Sequence, residues 1–177
     1  MILHPWHEVD NDFDKDIAQV KGIVEIPQGS KNKYEIDKKS GLLKLDRVVF
    51  AAFHYPINYG FIPQTLGEDG DPLDILILSQ MPIHPLCLVK SKVIGYMEMI
   101  DNGDKDEKII AVAAEDMSVS HMNNIDDLPE AYKQELKHFF QEYKTLSKKQ
   151  VIVDEFLPKK DALIIIESAI KRYKEKY

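Results

Sequence analysis

Apolar and polar positions alternate through the first two-thirds of the chain, and apolar positions recur at helical spacing in the last third. In VKGIVEIP, Val24 and Ile26 fall on one face and Glu25 on the other, the period of a half-buried strand. KNKYEIDKKSGLLKLDRVVF reads as a hairpin. Tyr34 and Ile36 point one way, Lys33 and Glu35 the other, and KKSG makes the turn with Gly41 as its permissive residue. LDILIL is a short apolar run suited to a buried strand. LVKSKVIGYMEMI and EKIIAVAAED flank DNGDKD, where Asn102-Gly103 signals a turn. Five or six strands are expected before residue 116.

The last third predicts helices. In DDLPEAYKQELKHFFQEYKTL, Tyr132, Leu136, Phe139, Phe140 and Tyr143 share one stripe. Asp127 with Glu130 three residues on resembles a capping box, and Pro129 sits in the permitted first turn. DALIIIESAIKRYKEKY predicts a second helix with Asp161 as its N-cap and a basic end that suits the dipole. Strands followed by helices imply an α+β fold: a small closed β-barrel with two main helices packed outside. No internal repeat or long linker divides the chain, so one domain over residues 1–177 is expected.

Composition narrows the picture. Of 177 residues, 44% are apolar and 30% charged, as in an ordinary globular protein. There are 23 basic and 30 acidic residues, a net charge of −7. That balance argues against nucleic-acid binding and is compatible with cation binding. The one cysteine, Cys87 in LCLV, forms no internal disulfide or zinc motif and reads as a buried, inert thiol. The N-terminus lacks the charged and apolar regions of a signal peptide, and no apolar run approaches the ~18 residues of a membrane helix. A soluble, cytoplasmic protein is expected.

The densest chemistry is EDGDPLD, residues 68–74, with carboxylates at Glu68, Asp69, Asp71 and Asp74. As plain sequence it is an acidic turn before a strand. An EF-hand does not fit: counted from Asp69, Asp74 and Gln80 stand where the loop needs glycine and glutamate, and a count from Asp101 fails likewise. DNGDKD adds Asp101 and Asp106 at the two ends of one hairpin loop, and Glu35 lies on a third element. Carboxylate oxygens are the ligands that hard divalent cations prefer, and Mg²⁺ needs only a few of them with water and phosphate. Asp74, at the mouth of a buried strand, is best placed to bridge two ions.

Lys33, Arg47, Lys108 and Lys144 read singly as solvated surface residues. However, Lys33 shares a strand face with Glu35, and Lys108 shares one with Asp106. A cation beside a metal-binding acid suits a phosphate that touches both. Tyr55 and Tyr59, in FHYPINYGFIPQT, and Tyr143, on the helical stripe, read as core whose hydroxyls can still donate to an oxyanion.

DGDPLDI resembles the signature of the single-domain, magnesium-dependent soluble inorganic pyrophosphatases. VEIPQGSKNKYEIDKKSGLLKLDR, HYPINYGFIPQT, DNGDKDEKIIAV and HFFQEYK resemble that family's other blocks, in order, over roughly residues 20–150. The resemblance implies a barrel of about five strands related to the OB-fold, and hydrolysis of pyrophosphate to two phosphates with several Mg²⁺ ions per active site. It implies metal binding by Asp69, Asp74, Asp101 and Asp106, and Asp71 as general base on a metal-held water. Lys33, Arg47, Tyr59, Lys108, Tyr143 and Lys144 would hold phosphate oxygens. Glu25 and Glu35 would serve the outer metal and water shell, and Tyr55 would line the site. Asn102 departs from the family pattern, where some relatives carry an acid. A homohexamer is also implied, with His138 a candidate for a subunit contact.

Other readings stay open on the residues alone. An OB-type module for single-stranded nucleic acid would use Tyr55 and Tyr59. A structural cation-binding domain, a metal-dependent nuclease or another phosphatase would use the same acids. His4 and His7, spaced i,i+3 around Trp6, read as packing residues rather than metal ligands.

Overall fold

The computed structural model describes residues 3–50, 52–101, 103–143 and 151–177. Strands β1 (Gln19–Ile26), β2 (Asn32–Ile36), β3 (Leu43–Val48), β4 (Asn58–Phe61), β5 (Asp74–Leu78), β6 (Leu88–Asp101), β7 (Asp104–Lys105) and β8 (Lys108–Ala113) come first. Helix α1 (Glu130–Glu142), strand β9 (Val151–Pro158) and helix α2 (Lys159–Lys176) follow. β1, β4, β5, β8 and β6 pair in that order, and β6 pairs back onto β1, closing a five-stranded ring. The α+β barrel with two helices is therefore as expected.

The apolar runs explain the closure. Alternate residues of β5 serve two different cores. Leu76 and Leu78 pack with Ile110, Val112 and the α1 residues Leu136, Phe139 and Phe140. Ile75 and Ile77 pack with Ile109, Ala111 and the α2 residues Ala162, Ile166 and Ala169. A strand covered on both faces has no polar side to display, which is why LDILIL does not alternate. β6 is 14 residues long and spans the whole ring. Its first half pairs with β1 and its second with β9, while β8 runs along its middle.

Several expectations are corrected. The last third is not wholly helical: VIVDEFLP forms β9, antiparallel to β6. Val153 is buried and Ile152 exposed, and β-branched residues favour a strand that β6 can pair. Asn58–Phe61, in the segment FHYPINYGFIPQT, is the ring strand β4. Asp127 does not cap α1. Its carboxylate accepts the Asn123 and Asn124 amides, at 2.7 and 3.0 Å, and closes a 3-10 turn before Pro129. α2 starts at Lys159 behind Pro158, so Asp161 lies in the first turn and complements the dipole without capping it. Cys87 is exposed, not buried, because LCLV enters β6 through a loop where Leu86 and Leu88 are also exposed. His138 is exposed on α1, as expected.

Gly60, in β4, is where the ring is tightest. A Cβ there would collide with the Ile23 carbonyl and the Val24 backbone of the neighbouring strand, neither of which can rotate away. Gly60→Ala should cost at least about 2 kcal/mol. Urea denaturation checks this, with a lower midpoint and an unchanged slope expected.

Candidate active site

Several segments converge on one half-enclosed cleft of about 530 Å³. The EDGDPLD loop is tied before its acids emerge. The Thr65 hydroxyl donates to Ile62 O (2.6 Å) and accepts from the Leu73 amide (3.0 Å), joining the loop's two ends. Gly67 N–H donates to Asp71 O at 2.6 Å, and Gly70 adopts φ +86°, a turn that suits glycine. The Asp69 carboxylate accepts the Asp71 amide at 3.0 Å. Asp69, Asp71 and Asp74 all line the cleft.

Strand register supplies the next residues. β5 and β8 run parallel with Ile75 opposite Ile109, so Asp74 and Lys108 begin neighbouring strands at the same end. The Lys108 ammonium is only 3% exposed and bonds both Asp74 and Asp106. The Asp106 amide donates to Met99 O at 2.8 Å, fixing the end of the β6–β8 connection. Asp101, the last residue of β6, reaches the same cleft.

The opposite wall is the β2–β3 hairpin. Glu25 of β1 is buried and accepts the Ile36 amide at 2.6 Å, fastening the hairpin to the barrel. The Lys33 ammonium lies between Asp46 (2.9 Å) and Glu35 (3.1 Å), and Glu35 also binds Lys44 (3.0 Å). Lys38 crosses to pair with Asp71. Tyr59 and Tyr143 complete the wall. The Tyr59 hydroxyl bonds Asp74, and Lys108 stands 5.6 Å from its ring centroid.

The electrostatics follow from crowding. Burial pushes the Glu25 carboxyl up to about 8; the Ile36 amide opposes this, and Asp74 adds to it. Burial raises Asp74, with Asp106 adding to it and Lys108 opposing. Burial and then Asp106 raise Asp69. Burial works against the Lys108 charge, but Asp74 and Asp106 exceed it, so its pKa rises. At Glu25, Asp69 and Asp74 burial thus outweighs the positive charge nearby. The donors are all oxygen, which suits a hard divalent cation. Among the described residues no three acids stand at ligand spacing, since the Lys108 ammonium sits between Asp74 and Asp106. The carboxylates that line the cleft offer the donor type such an ion takes, with Lys108 holding the place between two of them.

The inorganic pyrophosphatase family model matches residues 22–174. A soluble inorganic pyrophosphatase from Oryza sativa subsp. indica is 47% identical over 170 residues, 96% of this chain and 79% of the relative. One from Chlamydomonas reinhardtii is 44% identical over 174 residues, 98% of this chain and 90% of the relative. The crystal structure of inorganic pyrophosphatase from Thermus thermophilus superposes with a TM-score of 0.87 at 46% identity, covering 91% of this chain and 94% of that one. The Helicobacter pylori enzyme superposes with a TM-score of 0.89 at 40% identity, covering 94% and 99%.

This chain belongs to the inorganic pyrophosphatase family. Within that frame, Glu25, Lys33, Glu35, Tyr59, Asp69, Asp71, Asp74, Asp101, Asp106, Lys108 and Tyr143 all line one cleft. Two candidates stand apart from its wall. Tyr55 is buried behind Tyr59, their ring centroids 5.8 Å apart. Arg47 lies on β3 opposite Lys33 and pairs with Asp46 at 3.0 Å. Lys144 and Asn102 lie outside the described residues. Sequence reasoning missed Lys38, Lys44 and Asp46. Lys38 opens the turn KKSG, and Lys44 follows it on β3. Their available signal was register: Glu35 pairs with Lys44 across the hairpin, so the Glu35 face carries Lys44 too.

The Glu25 shift predicts a pH dependence in EDTA. The folded pKa, about 8, exceeds the ordinary glutamate value of 4.5, so folding takes up a proton between those values. Stability should fall as pH rises from about 4.5 to about 8 and then level. Glu25→Gln should flatten that slope and raise the melting temperature at pH 9. Thermal melts across this range test it.

Proposed function

We propose that the acid-lined cleft is where this chain hydrolyses inorganic pyrophosphate to two orthophosphates, by direct attack of water and without a phospho-enzyme. The observation that carries this reading is the cleft's division of charge. Asp69, Asp71, Asp74, Asp101 and Asp106 face lysines from the β2–β3 hairpin across a space of about 530 Å³. Pyrophosphate is a compact polyanion, and phosphoryl transfer to water needs positioning and charge neutralisation more than covalent chemistry.

Asp69, Asp74, Asp101 and Asp106 are the carboxylates that would hold divalent cations, Mg²⁺ by preference and several per site, with Asp74 shared between two. Bound there, such cations lower the pKa of a water from about 15.7 toward about 7 and neutralise phosphate charge. Asp71 accepts the proton as the water oxygen attacks phosphorus. An ordinary aspartate, near 3.9, is too weak a base for free water and adequate for an acidified one. The bridging P–O bond breaks, and its electron pair leaves with the second phosphate. Lys33, Lys108, Lys144, Arg47 and the Tyr59 and Tyr143 hydroxyls hold the phosphate oxygens and offset that charge. Glu25 and Glu35 orient water and lysines, and Tyr55 backs Tyr59.

The family supports a working unit of residues 1–177, assembled as a homohexamer in the cytoplasm, with exposed His138 on α1 available for a subunit contact. No described helix is long and apolar enough to cross a membrane. The nucleic-acid module and the purely structural cation site are not favoured: the family is one of hydrolases, and the cleft wall carries acids where a nucleic-acid groove needs unopposed cations.

Phosphate release from pyrophosphate is the test. With Mg²⁺ the wild type should turn over, and EDTA should abolish it. Asp71→Asn should lower kcat by at least about 100-fold. Undiminished release from that variant would remove Asp71 from its role.

A further inference from the structure

The N-terminal segment, residues 3–9, lies outside the catalytic wall, yet it touches both lips of the cleft. The His4 Nε2–H donates to Lys38 O at 3.1 Å, at the turn end of the β2–β3 hairpin. The His4 Nδ1 accepts the Trp6 amide at 3.3 Å, consistent with a proton on Nε2. Gly41, at φ +70°, leaves the His4 ring its place: a Cβ there would approach that ring to 3.0 Å. Two residues on, the segment reaches the other lip. The Trp6 indole N–H donates to Thr65 O at 2.8 Å, and the Gln64 amide donates to Trp6 O at 2.9 Å. Thr65 is the residue whose hydroxyl ties the two ends of the EDGDPLD loop. Trp6 is 1% exposed and packs with Ile36 and Leu66, one from each lip. The segment is itself anchored from outside the cleft. The His7 Nδ1 bonds the Tyr173 hydroxyl of α2 at 2.8 Å, and the His7 ring stacks on Trp6 with centroids 4.5 Å apart.

We propose that residues 3–9 form a clamp that sets the separation of the two lips, with His4 positioning the lysine lip and Trp6 positioning the acidic loop. This rests on the pyrophosphatase reading of the cleft. The reason a clamp is needed lies in the lips themselves. The β2–β3 hairpin is a separate two-stranded sheet, fastened to the barrel where Glu25 accepts the Ile36 amide, and a two-stranded hairpin is marginal in water on its own. The Lys38–Asp71 pair spans the lips, but both side chains are about half exposed, and such a pair holds geometry weakly. Buried Trp6 supplies the rigid link that the ion pair cannot. A misplacement of about 1 Å between a binding group and a base can cost on the order of 100-fold.

The two contacts act on different steps. His4→Ala frees the lysine lip, which binds substrate, and should raise KM about tenfold. His4→Gln keeps a donor at the Nε2 position and should stay within about twofold of wild type. Trp6→Phe keeps a ring but removes the donor to Thr65, so it should lower kcat about tenfold with little change in KM. A merely structural segment would lower the denaturation midpoint and leave KM and kcat of the folded enzyme unchanged, which would overturn the proposal.

Amide hydrogen exchange decides the matter independently of turnover. In His4→Ala, residues 37–44 should exchange faster, and in Trp6→Phe residues 64–71 should, with β5 unchanged in both. Unaltered exchange at both lips would overturn the clamp. A wild type that releases no phosphate from pyrophosphate with Mg²⁺ would instead sink the pyrophosphatase reading, and the exchange data would still decide the clamp.

Discussion

Lys108 is an ammonium held almost wholly out of water between Asp74 and Asp106, and the arrangement of the cleft depends on it. Placing an ion in that surrounding is costly unless partners meet it closely. The partners are delivered by register. Parallel β5 and β8 start at the same end of the ring, so the first residues of both strands stand side by side. Antiparallel neighbours would have put one of them at the far end of the barrel. Strand direction thus brings acid and base together, and the buried apolar faces of β5 and β8 hold that register against slippage.

From this centre the charges spread in two opposed groups. Asp69, Asp74, Asp101 and Asp106 gather at strand ends and loops, while Lys33, Lys38 and Lys44 gather on the hairpin. Neither group is satisfied alone. The carboxyls of Glu25, Asp69 and Asp74 are raised, chiefly by burial. The lysines consume part of the deficit through Glu35, Asp46 and Asp71. Such a cleft is poised for ligands that bring both signs at once: divalent cations for the acids and a phosphate for the lysines. On the proposed reading that ligand is a metal-bound pyrophosphate, which would offset the repulsion of the crowded acids.

Most of this was legible in the chain. Period-two alternation located β1, β2 and β3, although a register shift between Val24 and Ile26 sends those two residues to different cores, and the unbroken run LDILIL marked a strand buried on both faces. The acids of EDGDPLD and DNGDKD identified themselves by number and by placement at strand ends. What was hidden is instructive. VIVDEFLP sits between two helices and was read with them, although only pairing with β6 gives that segment a place. Asp127 lay three residues before a glutamate and looked like a cap, whereas Pro129 starts the helix afresh and leaves Asp127 to close the preceding turn. Lys38 and Lys44 carried no such signal, because a turn's outward face cannot be told from its cleft face without the partner wall. The same holds for Trp6: an aromatic in an arm signals packing, but not that it packs between two lips.

On the proposed reading, the cleft's acids need divalent cations before the lysines can hold a diphosphate. The most direct measurement is calorimetric titration of the wild type with methylenediphosphonate, a non-hydrolysable diphosphate, in EDTA and in Mg²⁺. Mg²⁺ alone should raise the melting temperature, and the diphosphonate should bind in Mg²⁺ but not in EDTA. Equal binding in both buffers, or a melting temperature that Mg²⁺ leaves unchanged, would contradict it.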